Sequence, residues 1–348
     1  MTDNVSPPWG HLPVEQYLLR NWDNSSPLTP SLQIKALVTK FLSLSTIPRE
    51  WDVFTERHDG STLDLHLPTP EEITTILVPW RPQSIRIVAN TLCSNTSSCV
   101  DLTDDAVWVR TYYPSESHDA QESARKRWIK LLRSSDMFFH RDHISSLTLN
   151  DAGLFNFPDD VTPQEIVDKV LMLLPELATS TIEQDRYSRK TIAEMTKNSD
   201  WDMDERLRKE LKEWVDYNPI PAVEGESASV EEWEKQVMNT YGVKKLQRAV
   251  MNRGFVVADK HMFDTGEPLF LMLDINGHIV RWARLDPGCA GFQEISGMDN
   301  RACVEESLYW DEEYYEQCGV GERYRLKGQY GGVLYGLGDV LSPKSEST

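Results

Sequence analysis

Apolar residues recur at helical spacing along much of the chain and alternate with polar ones elsewhere. Ile34, Leu37, Val38, Phe41 and Leu42 make one stripe. Thr29 precedes it as an N-cap, and Pro30 takes the first helical position, where a missing N–H costs nothing. Thr69-Pro70-Glu71-Glu72 is a capping box opening a short helix through Val78, expected to stop before Pro79 because a residue ahead of proline avoids the α region. Ala124, Trp128, Leu131 and Leu132 stripe another helix. A second capping box, Thr162-Pro163-Gln164-Glu165, opens a helix striped by Ile166, Val170, Leu173 and Leu174. Leu207, Leu211, Trp214 and Val215 stripe the next. A third box, Ser229-Val230-Glu231-Glu232, leads into Trp233, Val237 and Tyr241. Gly242 and Gly254 fit helix C-caps.

Alternation marks the strands. Ser84 to Leu92 reads as one, with Ile85, Ile87 and Ala89 against Ser84, Arg86 and Val88. Ala106 to Tyr113 is a second, with Val107, Val109, Thr111 and Tyr113 on one face and Trp108, Arg110 and Tyr112 on the other. Phe255-Val256-Val257-Ala258 is a buried run. Leu269 to Leu285 is a hairpin around Asn276-Gly277, the favoured pair for a two-residue type I′ turn. That turn opposes Ile275 to His278, Leu273 to Val280 and Leu271 to Trp282. A last helix is expected over about 300–317, and the glycine-rich tail from Tyr324 has β character.

These elements predict an α+β fold, a mixed or antiparallel sheet with packed helices and a large helical insertion. The first 30 residues, rich in Pro, Ser and Asn and without periodicity, read as a surface arm anchored by Trp9 and Trp22. Residues 31–348 read as one unit with the insertion at about 119–253. The alternative divides them into 31–217 and 231–348, because Asn218 to Val230, with Pro219, Pro221 and Gly225, is the best linker in the chain. Phe255 to Ala258 is too apolar for a free edge, so the strand at Val107 is expected beside it in the sheet that holds the hairpin.

Val109-Arg110-Thr111-Tyr112-Tyr113, followed by Asp119-Ala120 and Trp128, and later by Val256-Val257-Ala258-Asp259, Pro268, the strand Leu269 to Asp274 and Met298-Asp299, resembles a family of uncharacterised bacterial and fungal proteins known only as a domain of unknown function. The similar stretches cover about a fifth of the chain in two pieces, separated by a long helical insertion that departs from the family pattern. The resemblance implies that both pieces belong to one sheet. It implies no activity, cofactor or catalytic residue.

Charge narrows the function classes. Lys and Arg number 36 and Asp and Glu 55, a net charge of −19, and no basic stripe interrupts it. Nucleic acid and an anionic membrane surface are therefore not expected partners, since both are recognised through concentrated Lys and Arg. No stretch approaches the ~20 apolar residues of a membrane span. The N-terminus has no secretory pattern, and five irregularly spaced cysteines make no disulfide framework. A soluble, acidic, intracellular protein of the cytoplasm is expected.

Candidate chemistry is sparse. His140 and His143, one helical turn apart, are able to share a metal with Asp136 or Asp151 as a third ligand, the donor set of hydrolytic zinc sites. The plainer reading is two partly exposed histidines beside a helix end, with no metal bound. Gly328 to Gly338 is too close to the C-terminus to precede a phosphate-binding helix. Cys289, in a turn, reads as an inert thiol. The acidic and aromatic run from Glu305 to Glu316 lacks calcium-loop spacing and reads as a solvated helix face. Trp108, Arg110 and Tyr112, sharing a strand face, are the candidate binding residues. If that face is covered, Arg110 needs a buried carboxylate partner. No catalytic residue and no cofactor is assigned. The expected function is a non-catalytic binding or scaffold protein for an unknown protein or small molecule, the alternative a metal-assisted hydrolase around His140 and His143.

Overall fold

The computed structural model describes residues 8–44, 47–54, 62–94, 107–114, 117–135, 147–178, 227–238, 251–274, 276–284 and 318–325, with single residues between 209 and 247. His140, His143, Asp136, Cys289, most of the linker at 218–230, the helix expected over 300–317 and the glycines at 328–338 lie outside the described residues.

The protein is α+β. Among the described residues six strands form one mixed sheet in the order β2-β1-β3-β4-β5-β6. They are β1 (Val107–Arg110), β2 (Thr148–Leu149), β3 (Met251–Ala258), β4 (Leu269–Asp274), β5 (Ile279–Arg284) and β6 (Cys318–Val320). β1 runs parallel to both β2 and β3, and the remaining pairs are antiparallel. The strand at Val107 thus pairs directly with the Phe255 run, with Val107 opposite Phe255 and Arg110 opposite Ala258.

Alternation along the strands divides the core in two. Val107, Val109, Phe255, Val257, Leu269, Leu271 and Leu273 face a thick helical layer. It is built from α1 (Pro13–Asn21), α2 (Pro30–Leu42), α5 (Gln83–Ser94) and α8 (Pro163–Leu173), with the short α3 (Pro70–Glu72) and α4 (Val78–Trp80) between α2 and α5. Trp108, Val256, Ala258, Phe270, Met272 and Ala283 face the other way. They meet Ala124, Trp128 and Leu131 of α6 (His118–Ser135) and Met262 and Phe263 of α10 (Lys260–Thr265). Two further helices are α7 (Ala152–Phe155) and α9 (Ser227–Met238).

Three of the four expected N-caps stand where the sequence put them, whereas Ser229 lies inside a helix that already begins at Ser227, within the expected linker. Thr29, Thr69 and Thr162 each accept an N–H of the following turn, and Glu72 and Glu165 close the last two boxes from the other side. Other expectations are corrected. Residues 13–21 are not a surface arm but α1, with Leu12, Val14 and Leu18 fully buried. Residues 84–92 form no strand. They lie in α5, where Ile85, Val88, Ala89 and Leu92 recur at helical spacing and are buried, while Ile87 is left 42% exposed. The helix from Pro70 also continues past Pro79. Its middle, Ile73–Leu77, is a π turn in which the Val78 N–H reaches the Ile73 carbonyl, and this wider turn accommodates a proline ring that would strike an α-helical carbonyl. Gly254 caps no helix and sits buried inside β3. In the hairpin, Leu271 does oppose Trp282, but a bulge sets Leu273 against Ile279 rather than Val280. The Asp274 carboxylate accepts the N–H groups of Asn276 and His278, which favours this wider turn, and Gly277 takes φ +79 within it. The segment expected as a helical insertion also contributes a strand, β2.

Candidate functional site

The carboxyl ends of the three parallel strands lie side by side. β1 ends in Arg110 and continues to Tyr113, β2 is followed by Asn150 and Asp151, and β3 is followed by Asp259 and Lys260. Helices leave this end toward opposite faces. α6, after β1, and α10, after β3, pack on the second core, whereas Phe155 of α7, after β2, belongs to the first. Ligand crevices in open sheets with parallel strands form where connections part in this way.

Local geometry at this end follows from ordinary backbone needs. The Thr111 N–H donates to the Ala258 carbonyl, prolonging the β1–β3 ladder, and the Phe157 N–H donates to the Thr111 carbonyl, folding the loop after α7 across the end of β1. Asp259 caps α10 by accepting the Met262 N–H. The Asp259 carboxylate also takes both Nη atoms of Arg284, at 3.0 and 2.5 Å. Lys260 pairs with Asp159 at 2.5 Å. The Tyr113 hydroxyl donates to Asn150 Oδ1.

Arg110 differs from its neighbours. It is 8% exposed, and among the described residues its single hydrogen bond runs from Nε to the Tyr112 carbonyl at 3.0 Å. Its guanidinium carbon lies 4.5 Å from the Tyr113 ring centre and 5.3 Å from that of Phe263. Among the described residues it forms no ion pair, so the carboxylate partner expected for a covered Arg110 does not appear. Cation–π contact takes its place. Burial lowers the pKa of this guanidinium, opposed by Tyr113. Burial likewise pushes the Tyr113 phenol far above its ordinary value, with Arg110 acting against the rise and Asp151 adding to it.

The three candidate binding residues share the face expected of them but not one environment. Trp108 is sealed into the second core at 2% exposure, and half-buried Tyr112 lies against Phe263 with ring centres 5.6 Å apart. Only Arg110 combines burial with charge at the strand ends. The sequence reading missed Tyr113, Phe263, Asp259, Lys260 and Arg284. The Val-Ala-Asp-Lys step after a buried strand run, a strand end followed by an acidic N-cap, was the signal for two of them.

A second polar cluster lies in the helical layer and is closed to solvent. Glu15, Arg81, Arg86 and Glu176 are each 4% exposed or less. Arg81 Nη1 donates to both oxygens of Glu176, at 2.7 and 2.9 Å, and Arg86 Nε donates to Glu15 at 2.7 Å. Trp80 stacks on Arg81 and Trp9 on Arg86. Two cations facing two anions, capped by indoles, form a structural joint between α1, the α4–α5 segment and the turn after α8.

Among the described residues no three His, Cys, Asp or Glu side chains are grouped to hold a metal ion, and no helix is long and apolar enough to cross a membrane. No protein-family model matches the sequence, and comparison with curated proteins and with solved structures returns no significant match.

Proposed function

We propose that the chain is a non-catalytic binding protein whose ligand site lies at the carboxyl ends of β1, β2 and β3, with Arg110 as the recognising group. One observation supports this reading above the rest, the burial of Arg110 with no anion to match it among the described residues. Taking much of a guanidinium out of water is costly, and two ring contacts at about 0.5–2 kcal/mol each offset only part of that cost. A charge held at such a cost belongs to a site completed from outside. The ligand is a small molecule or a protein side chain rather than nucleic acid, given the net charge of −19.

The stability of the unliganded protein tests the reading. Arg110→Met keeps an unbranched chain of similar reach and removes the charge. If Arg110 serves a ligand, the variant is as stable as the parent or more so, by about 1 kcal/mol, as when buried charges are exchanged for apolar groups. A loss of about 2 kcal/mol or more in urea unfolding would make Arg110 a structural residue and overturn the proposal.

A further inference from the structure

We propose that the ligand group seated by Arg110 is a single carboxylate of a small organic acid, an inference that rests on the reading of this site given above. Three features of the strand ends lead to it. The guanidinium carbon lies 4.5 Å from the Tyr113 ring centre and 5.3 Å from that of Phe263, and Nε is committed to the Tyr112 carbonyl. What remains is the in-plane edge carrying the two Nη atoms. That edge is a fork, and its complement is a planar group with two coplanar acceptors.

Charge sets the valence. The other cations at this end are engaged, Lys260 with Asp159 and Arg284 with Asp259. Asp151 adds a negative charge close enough to raise the Tyr113 pKa. Arg110 therefore supplies one uncompensated positive charge beside one further carboxylate, within a chain of net charge −19. A doubly charged phosphate would meet more repulsion than attraction there, whereas a monoanion is matched. Size follows from burial. With Arg110 only 8% exposed, the fork is reached by a slender group and not by a broad surface.

Saturation-transfer NMR and thermal unfolding of the full chain test this with three probes. Benzoate carries the carboxylate, benzamide is its neutral counterpart, and inorganic phosphate is the competing anion. Benzoate is expected to bind saturably and raise the unfolding temperature, benzamide to be silent, and phosphate to bind at least tenfold more weakly. Arg110→Lys, which keeps the charge and loses the fork, is expected to weaken benzoate tenfold or more, and Arg110→Gln to abolish binding. Should either variant fail to fold, Phe263→Leu leaves the guanidinium in place and is expected to weaken benzoate severalfold. Phosphate binding with benzoate silent overturns the carboxylate assignment while leaving Arg110 as the recognising group. Silence of all three probes overturns both, and so does benzoate binding that is unchanged in the Arg110 variants.

Discussion

Glu15→Gln changes one oxygen to an amide nitrogen, and its cost follows from the donors around that carboxylate. Arg86 donates through Nε at 2.7 Å and through Nη2 at 3.3 Å, Arg81 through Nη2 at 3.4 Å, and the Gly10 N–H at 2.8 Å. Every neighbour is a donor, so the new amide N–H groups point at N–H groups whichever way the side chain flips. The cluster passes from two cations against two anions to two against one, among side chains that are all buried. Breaking a buried pair from one side costs about 3–5 kcal/mol. Arg86 keeps the Pro8 carbonyl and its Trp9 stack, which places the expected loss near the lower end, about 3 kcal/mol. Urea unfolding of the full chain, followed by tryptophan fluorescence and far-UV circular dichroism, measures it, provided the two probes coincide. The double variant Glu15→Gln with Arg86→Met restores charge balance and is expected to recover at least half of the loss. A single-variant loss below about 1 kcal/mol, or a double variant no better than the sum of its parts, would refute the argument that charge pairing governs this joint.

Three further outcomes are expected. The Tyr113 pKa lies above its ordinary value of 10.0, so the folded protein keeps a proton that the unfolded chain loses. The matching stability is complete below pH 10 and falls as pH rises beyond it, and Tyr113→Phe should remove that component of the alkaline slope in urea titrations run at successive pH values. Asp274→Ala removes the acceptor for the Asn276 and His278 N–H groups and for the Tyr324 hydroxyl at 2.6 Å, and should cost about 3 kcal/mol in urea unfolding. Gly319→Ala places a methyl 2.2 Å from the Trp282 ring across the β5–β6 pair, and a melting temperature equal to the parent's would show that the ring is free to move aside.

The sequence was legible where local chemistry decided the outcome. Threonine N-caps with proline and glutamate behind them marked true helix starts, and alternation separated Val107 and Val109 from Trp108 and Arg110. It misled where the deciding partner is remote. Ile85, Ile87 and Val88 carry strand propensity, but Arg86 had to reach Glu15, 71 positions earlier, and the helix delivers it there. The same remoteness hid α1. Its polar residues Glu15 and Gln16 are fully buried, so no apolar stripe stood out against a polar face. The candidate site was half legible. Arg110 was visible as a charge on a strand, but Phe263 and Lys260 reach it only because β3 returns beside β1.

That return has a consequence for the order in which the chain is made. β1 ends at Arg110 and its partner β3 begins at Met251, so about 140 residues must leave the ribosome between them. At roughly 5–20 residues per second, Val107 and Val109 wait about 7–28 s for the strand that covers their edge. β2 is synthesised sooner but pairs with the opposite edge and spans only Thr148–Leu149. During synthesis the nascent chain therefore exposes an apolar parallel edge for seconds. Chaperone dependence and aggregation are expected to be set there, before the hairpin exists, and not by the stability of the finished sheet.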